Sequence, residues 1–402
     1  MYNILFLTTR FPYPPDDGGK IDTLTNLKIL AKNFSLFLFY IGTQDEKETK
    51  LKKEVKIQGI YNYSKDTKNN ILGIIKNIFS PKPYTISKYH SQEIYKKIKK
   101  IIKNKNINIV FVDHLHMAYY GKMIKQDFPK IKVVLREHNV EYIFWKRILK
   151  EERDIFKKIF FWIQYRKVLN YEKKFFRIFD EYLMISPVDE KNIKKISPQV
   201  RTKILPPAVD TKKFNLSNGI RVIPHSIVVL GNFAWLPNLN GVFWFFKNVW
   251  SIIKRDFPNT KLFIVGKNPP EELKKYQDED VSVTGYVDDV RPWIAKVEVF
   301  IAPLFSGSGI RIKILEAMAM GKSIISTSLG AEGIDIENMK NIIIADNKEE
   351  FVKGVELLFT DKKIQENLSK NARTLVERKY SFEVIEKTLK QIIENLFLKR
   401  FY

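Results

Sequence analysis

The 402-residue chain contains no cysteine. That excludes disulfides, thiolate catalysis and cysteine-ligated zinc or iron–sulfur centres, and leaves stability to packing. Long apolar runs are missing too: "SLFLFYIG" and "GVFWFF" fall far short of the roughly 18 residues needed to cross a bilayer. The opening "MYNILFLTTRFP" lacks the basic n-region, longer apolar core and small-residue cleavage site of a secretory signal, so it reads as a first strand and the expected location is cytoplasmic. The dinucleotide fingerprint G-x-G-x-x-G does not occur, which counts against an NAD or FAD enzyme. Acid is in short supply: 69 Lys+Arg stand against 45 Asp+Glu, 69 − 45 = +24. Such an excess favours anionic partners, whether nucleic acid, anionic lipid or a phosphorylated substrate. Lys, Asn and Ile are abundant throughout, which coding bias alone also produces.

What is present has the grammar of two α/β domains, as the length suggests. From Tyr2 to about Ser186, β-rich runs ("NILFLTT", "SLFLFYIG", "INIVFVDH", "KVVLREHN", "EYLMIS") alternate with longer helical stretches. Each run is apolar almost throughout, as parallel strands covered on both faces require. The pattern restarts after a Pro-rich segment with "SIVVLGNF", "KLFIVG", "VSVTGYV", "VEVFIAPL", "SIISTS" and "NIIIAD". The expected division is a Rossmann-like domain over 1–198, a linker over 199–224, a second Rossmann-like domain over 225–380 and a C-terminal helical segment over 381–402 that packs elsewhere, the first half included. In doubly wound sheets ligands bind beyond the carboxyl ends of the strands, so the residues just after each strand carry the information.

After the first strand, "TTRFPYPPDDGGKIDTL" sets Gly18-Gly19 just before a helix, where backbone amides can approach an anion; a plain turn explains a lone GG as well. "REHNVEYIFWKR" puts His138 at a strand's carboxyl end, suited to donating a hydrogen bond as charge develops on a sugar. His114 and His116 in "VDHLHMA" form a second-rank cluster without a recognised metal-binding array. "LGNFAWLPNLNGVFWFF" places Asn240 and Gly241 between a strand and a helix. The densest segment is "APLFSGSGIRIKILEAMAMGKSIIST". Small residues Gly307, Ser308 and Gly309 allow close backbone approach, Arg311 and Lys313 supply cations for a diphosphate, and Glu316 accepts hydrogen bonds from sugar hydroxyls. Ser308 or Gly309 is the expected helix cap. Glu316 lies too far along to close a capping box, although a solvated Lys313–Glu316 pair is the plain alternative.

These segments, with "HNVE", "PPAVD", "VTGYVDDV" and "GAEGI", resemble retaining glycosyltransferases of family 4 with the GT-B fold, and the likeness runs through nearly the whole chain. The resemblance implies two Rossmann-like doubly wound domains facing a central cleft, and transfer of a sugar from a nucleoside-diphosphate donor with retention and without an obligatory metal or cofactor. It implies that Glu316 binds the donor ribose, that Arg311 and Lys313 stabilise the diphosphate, and that Gly307 to Gly309 offer amides to the sugar. Tyr286 and Val287 match the segment lining the nucleobase. Gly18 and Gly19 match the loop meeting the donor phosphate, and His138 the catalytic-cleft histidine. The chain departs from the family where a first glutamate is common and Ser308 stands, where many relatives have glycine in place of Arg311, and where "PPAVD" replaces asparagine-glycine.

The expected acceptor is a glycan or a lipid-linked glycan of cell-surface polysaccharide synthesis. An anionic membrane surface is a candidate partner through Arg153 to Asp180, which mixes basic and large apolar residues; a helix packed on its own sheet with its lysines outward is the plainer reading. Rival readings are a nucleotide-sugar epimerase or phosphorylase on the same fold, and a basic nucleic-acid-binding protein, against which stands the lack of any recognised nucleic-acid module. A metal-dependent transferase using "DED" at Asp278 to Asp280 is set against a solvated turn at the same residues.

Overall fold

The computed structural model describes residues 2–215 and 219–398. Residues 216–218 of the expected linker and 399–402 of the expected C-terminal segment lie outside the described residues. Two parallel sheets organise the chain. The first contains β1 (Asn3–Thr8), β2 (Ser35–Ile41), β3 (Ile57–Tyr63), β4 (Ile109–Asp113), β5 (Lys132–Glu137), β6 (Glu181–Met184) and β7 (Thr202–Ile204), in the order β3-β2-β1-β4-β5-β6-β7. The second contains β8 (Ser226–Leu230), β9 (Lys261–Val265), β10 (Val281–Gly285), β11 (Val299–Ala302), β12 (Ser323–Ser326) and β13 (Ile343–Ile344), in the order β10-β9-β8-β11-β12-β13.

The central strands are apolar almost throughout because both faces are covered. All five residues of β4 and all five of β8 are buried. In the second sheet the period of two separates the faces cleanly. Val228, Leu230, Phe300 and Ala302 join one core, while Ile227, Val229, Val299 and Ile301 join the other. Each of the valine, leucine, isoleucine and phenylalanine side chains among them contributes roughly 1.5–3 kcal/mol when fully buried.

Of the described residues, 2–206 with 386–398 form one compact unit, and Pro207–Ile385 form the other. Part of the expected linker is therefore structured: β7 pairs with β6 at the sheet edge, from Tyr182 with Thr202 to Met184 with Ile204. The last helix, Phe382–Leu398, belongs to the first unit from Glu386 onward, where Lys32 Nζ lies 2.8 Å from Glu386 and Tyr2 stacks on Phe397 at 4.1 Å. Strand order reverses once in each sheet, between β1 and β4 and between β8 and β11. Those two reversals are where a doubly wound sheet opens a crevice for ligand.

Candidate functional site

In the second unit, the reversal lies between the ends of β8 at Leu230 and β11 at Ala302. The chain leaves β11 through Pro303 and turns at Gly307 and Gly309, whose φ values of +100° and +80° favour glycine. A Cβ at Gly241 would meet the Pro303 carbonyl oxygen at 2.0 Å, so glycine there lets the helix Leu236–Phe245 close on this turn. The next helix, Ile312–Ala319, begins with Arg311 in the capping position. The expected cap at Ser308 or Gly309 is not formed: both positions belong to the turn, and no side chain caps the helix.

This helix start collects positive charge with no acid in its first turn. Lys313 points inward, donating to the Leu230 carbonyl at 2.6 Å and to Asn238 Oδ1 at 2.9 Å. Both partners are neutral, so the ammonium is held without a carboxylate. Burial, and then the nearby Arg311, push its pKa down to about 7. Arg311 is buried beneath the glycine turn, donating to the carbonyls of Ser308 and, at 2.5 Å, of Gly309, with its guanidinium over the Trp235 ring. One turn along, Glu316 is only 9% exposed, and its carboxylate accepts no hydrogen bond from any described residue. Burial pushes its pKa up to about 7, with Lys213 pulling the other way. A helix N-terminus already favours an anion; two cations crowded against it, one losing its proton at neutral pH, strengthen that demand.

In the first unit, the reversal between β1 and β4 holds a closed network. Arg136, fully buried, forks onto Asp22 at 3.0 and 3.1 Å and donates to the Leu205 carbonyl. His138 Nε2 lies 2.7 Å from Asp113 Oδ1, while the other oxygen of Asp113 accepts from Thr8 at 3.1 Å and Thr23 at 2.7 Å. Burial alone would raise the pKa of Asp113, but the facing His138 and His114 and the hydrogen bonds hold it well below the ordinary carboxylate range. An ionised Asp113 has no proton to give, so this hydrogen bond requires a proton on His138 Nε2. His114, at φ +74°, stacks on His138 with centroids 3.7 Å apart, and burial, followed by the charge of His138, lowers its pKa. His116 is pushed down to about 4, chiefly by burial. Asp113, His114 and His138 each offer one ligand atom within 4.8 Å of the others. His138 and Asp113 are joined by a hydrogen bond, and the His114 ring stacks on His138.

Gly18 and Gly19 are the first residues of the helix Gly18–Asn33, not of the turn before it. Asp17 caps that helix, accepting the Lys20 amide at 2.9 Å, and its carboxylate also pairs with Arg10 at 2.7 Å. In the second unit, Tyr286 is exposed and Val287 packs against the core just after β10, which ends at Gly285 with φ +70°. Asn240 is exposed, whereas Asn238 two residues earlier is buried and holds Lys313. Sequence reasoning missed Asn238, along with Asp22, Arg136 and Asp113: Asn238 meets Lys313 75 positions away, Asp22 meets Arg136 114 positions away, and Asp113 meets Thr8 and His138 105 and 25 positions away. The "DED" residues form a turn in which Asp280 pairs with Lys254 at 2.6 Å and Lys261 at 2.7 Å.

Residues 224–361 match the family described as Glycosyl transferases group 1. An uncharacterized 44.6 kDa protein in the cps region of Klebsiella pneumoniae is 26% identical over 370 residues, covering 88% of this chain and 90% of that protein. Sucrose-phosphate synthase from Thermosynechococcus elongatus superposes with a TM-score of 0.74 at 15% identity, over 99% of this chain and 100% of that one. The Anabaena protein HepE, solved with UDP and glucose, superposes with a TM-score of 0.70 at 12% identity, over 98% and 100% of the two chains. The chain has the GT-B fold of two parallel-sheet Rossmann-like domains, and its second half is similar to the glycosyl transferases of group 1.

Proposed function

We propose that the protein is a retaining glycosyltransferase that moves a sugar from a nucleoside-diphosphate donor to a glycan or lipid-linked acceptor in cell-surface polysaccharide synthesis. The observation that carries the donor class is the start of the helix Ile312–Ala319: uncapped, flanked by Arg311 and Lys313, at the sheet's reversal point. The unpartnered Glu316 carboxylate one turn further supplies the acceptor for ribose hydroxyls. The similarity to group 1 and the UDP and glucose bound by HepE support the same reading.

In this reading the glycosidic C–O bond to the diphosphate breaks while Lys313 and the first-turn amides offset the charge growing on the leaving oxygens. Diphosphate raises the pKa of Lys313 again, so the lysine binds substrate fully charged. Arg311 shapes the turn as well as adding charge, since it holds the Ser308 and Gly309 carbonyls and so the peptide planes that carry the Gly309 and Ile310 amides. The acceptor hydroxyl attacks from the face the diphosphate leaves, and the departing phosphate oxygen takes its proton. No hydrolase-type carboxylate pair is needed. His138, oriented by its hydrogen bond to Asp113, would contact a sugar hydroxyl. Tyr286 and Val287 would line the nucleobase.

The test is a thermal-shift panel of UDP-, GDP- and ADP-sugars, followed by mass spectrometry of products with the best donor and an acceptor extract. At least one sugar nucleotide should raise the melting temperature, and Lys313→Ala should remove the shift. No shift with any of them, or equal shifts in wild type and variant, would overturn the assignment.

A further inference from the structure

The helix Ile71–Ile78 is built inside out. Its one buried residue is polar, Asn77, while Ile71, Leu72 and Ile75 are 76%, 67% and 51% exposed. Phe79, at its end, is 89% exposed. The spacing of 71, 72, 75, 78 and 79 is that of a single helical stripe. Polar groups hold the opposite side down. Asn77 Oδ1 accepts from the fully buried Gln164 at 3.1 Å, its Nδ2 donates to the Lys82 carbonyl at 2.9 Å, and Lys167 Nζ reaches the Asn77 carbonyl at 2.5 Å.

The helix it is pinned to, Ile155–Phe175, divides in the same way. Its second half buries Gln164, Val168, Tyr171 and Phe175, one stripe at helical spacing. Its first half buries nothing: Ile155, Phe156, Ile159 and Trp162 are 61%, 80%, 52% and 53% exposed. Gln164 and Lys167, which hold the end of the helix Ile71–Ile78, lie within about 12 Å of Ile159 along this helix at 1.5 Å per residue. Single exposed hydrophobics need no explanation, but a concentration of this kind marks an interaction surface.

The surrounding charge identifies what covers it. Residues 64–91 contain five lysines and one aspartate, 5 − 1 = +4, and residues 146–167 contain eight Lys+Arg and three Asp+Glu, 8 − 3 = +5. Apolar side chains on one face with cations on the flanks are the composition of a helix lying in the boundary between acyl chains and anionic headgroups. A second copy of the chain would set like charge against like. No described helix is long and apolar enough to cross a membrane, so the surface would lie on the bilayer. We propose that the exposed apolar faces of Ile71–Ile78 and of the first half of Ile155–Phe175 form a docking surface for an anionic membrane, with Phe79, Phe156 and Trp162 entering the headgroup–acyl boundary.

The test is cosedimentation of the full chain with phosphatidylcholine vesicles and with phosphatidylcholine–phosphatidylglycerol vesicles, at low and high salt. Wild type should bind the mixed vesicles, with Trp fluorescence shifted to the blue, and bind the neutral ones more weakly. The double variants Ile75→Glu/Phe79→Glu and Phe156→Glu/Trp162→Ser should each lose at least about tenfold in binding. They should keep the wild-type melting temperature and the thermal shift with sugar nucleotide, which separates this surface from the donor site. Three results would overturn the proposal. They are no binding to the mixed vesicles at low salt, binding that both variants retain, and a dimer or an acidic protein complex that the variants abolish while vesicles remain unbound.

Discussion

Two helix starts, one in each unit, face opposite electrostatic situations. At Gly18 the helix is capped by Asp17, which also neutralises Arg10. At Ile312 no side chain caps the helix, no acid occupies its first turn, and Lys313 is held by neutral oxygens alone. The networks around them differ in the same sense: Arg136 has Asp22 and His138 has Asp113, whereas Glu316 has no hydrogen-bonding partner among the described residues. A charge set that closes on itself fixes geometry, and one left open has its affinity in reserve for a ligand. On the proposed reading the diphosphate binds at Ile312, and the paired charges of the first unit hold His138 in place.

The comparison breaks most visibly through Arg136. Replacing it with Met strands Asp22 in the interior, and the expected loss is about 3–5 kcal/mol in urea unfolding; a loss under about 1 kcal/mol would mean that the first-unit network is not closed as described. Lys313→Ala is the counterpart in the open set. Transfer should slow by about 10²–10³-fold, the usual effect of removing one preorganised donor, while the melting temperature at pH 6 stays level or rises because a buried cation has been removed. Glu316→Gln should weaken sugar-nucleotide binding by about 10- to 100-fold and leave inorganic pyrophosphate binding unchanged, if the carboxylate serves the ribose. Asp17→Ala should cost about 1 kcal/mol of stability, with nucleotide affinity unaltered.

The pH dependence of stability separates the two groups of the open set. Glu316 keeps its proton in the folded chain up to about 7, above the ordinary 4.5, so its contribution to stability falls as pH rises between those values. Lys313 loses its proton at about 7 when folded and near 10.5 when unfolded, so its contribution rises with pH across that interval. Denaturant titrations at pH 5, 7 and 9 should show Glu316→Gln lacking the first slope and Lys313→Met lacking the second.

Most of the architecture was legible because parallel strands buried on both faces write unbroken apolar runs. The two strands missed are edge strands that need not do so. In β3, Gly59 and Asn62 interrupt the run, and β7 has only three residues, with Lys203 among them. The dense segment from Gly307 to Glu316 was legible as chemistry, since its residues follow one another along a single turn and helix. What sequence order hides is pairing across the fold. Nothing local marks Asn238 rather than Asn240 as the partner of Lys313, or joins Arg136 to Asp22. The apolar stripe of Ile71–Ile78 was hidden for a different reason: an apolar helix reads as core until the structure shows Asn77 to be its one buried residue.

The central claim is that the open charge set at Ile312 exists to hold a nucleoside diphosphate. Isothermal titration of UDP, GDP and ADP into wild-type and Lys313→Met protein tests it directly. At least one should bind the wild type and bind the variant at least about tenfold more weakly, as expected for a charge-assisted contact. Equal affinity in the two proteins, or no binding of any of the three to the wild type, would contradict it.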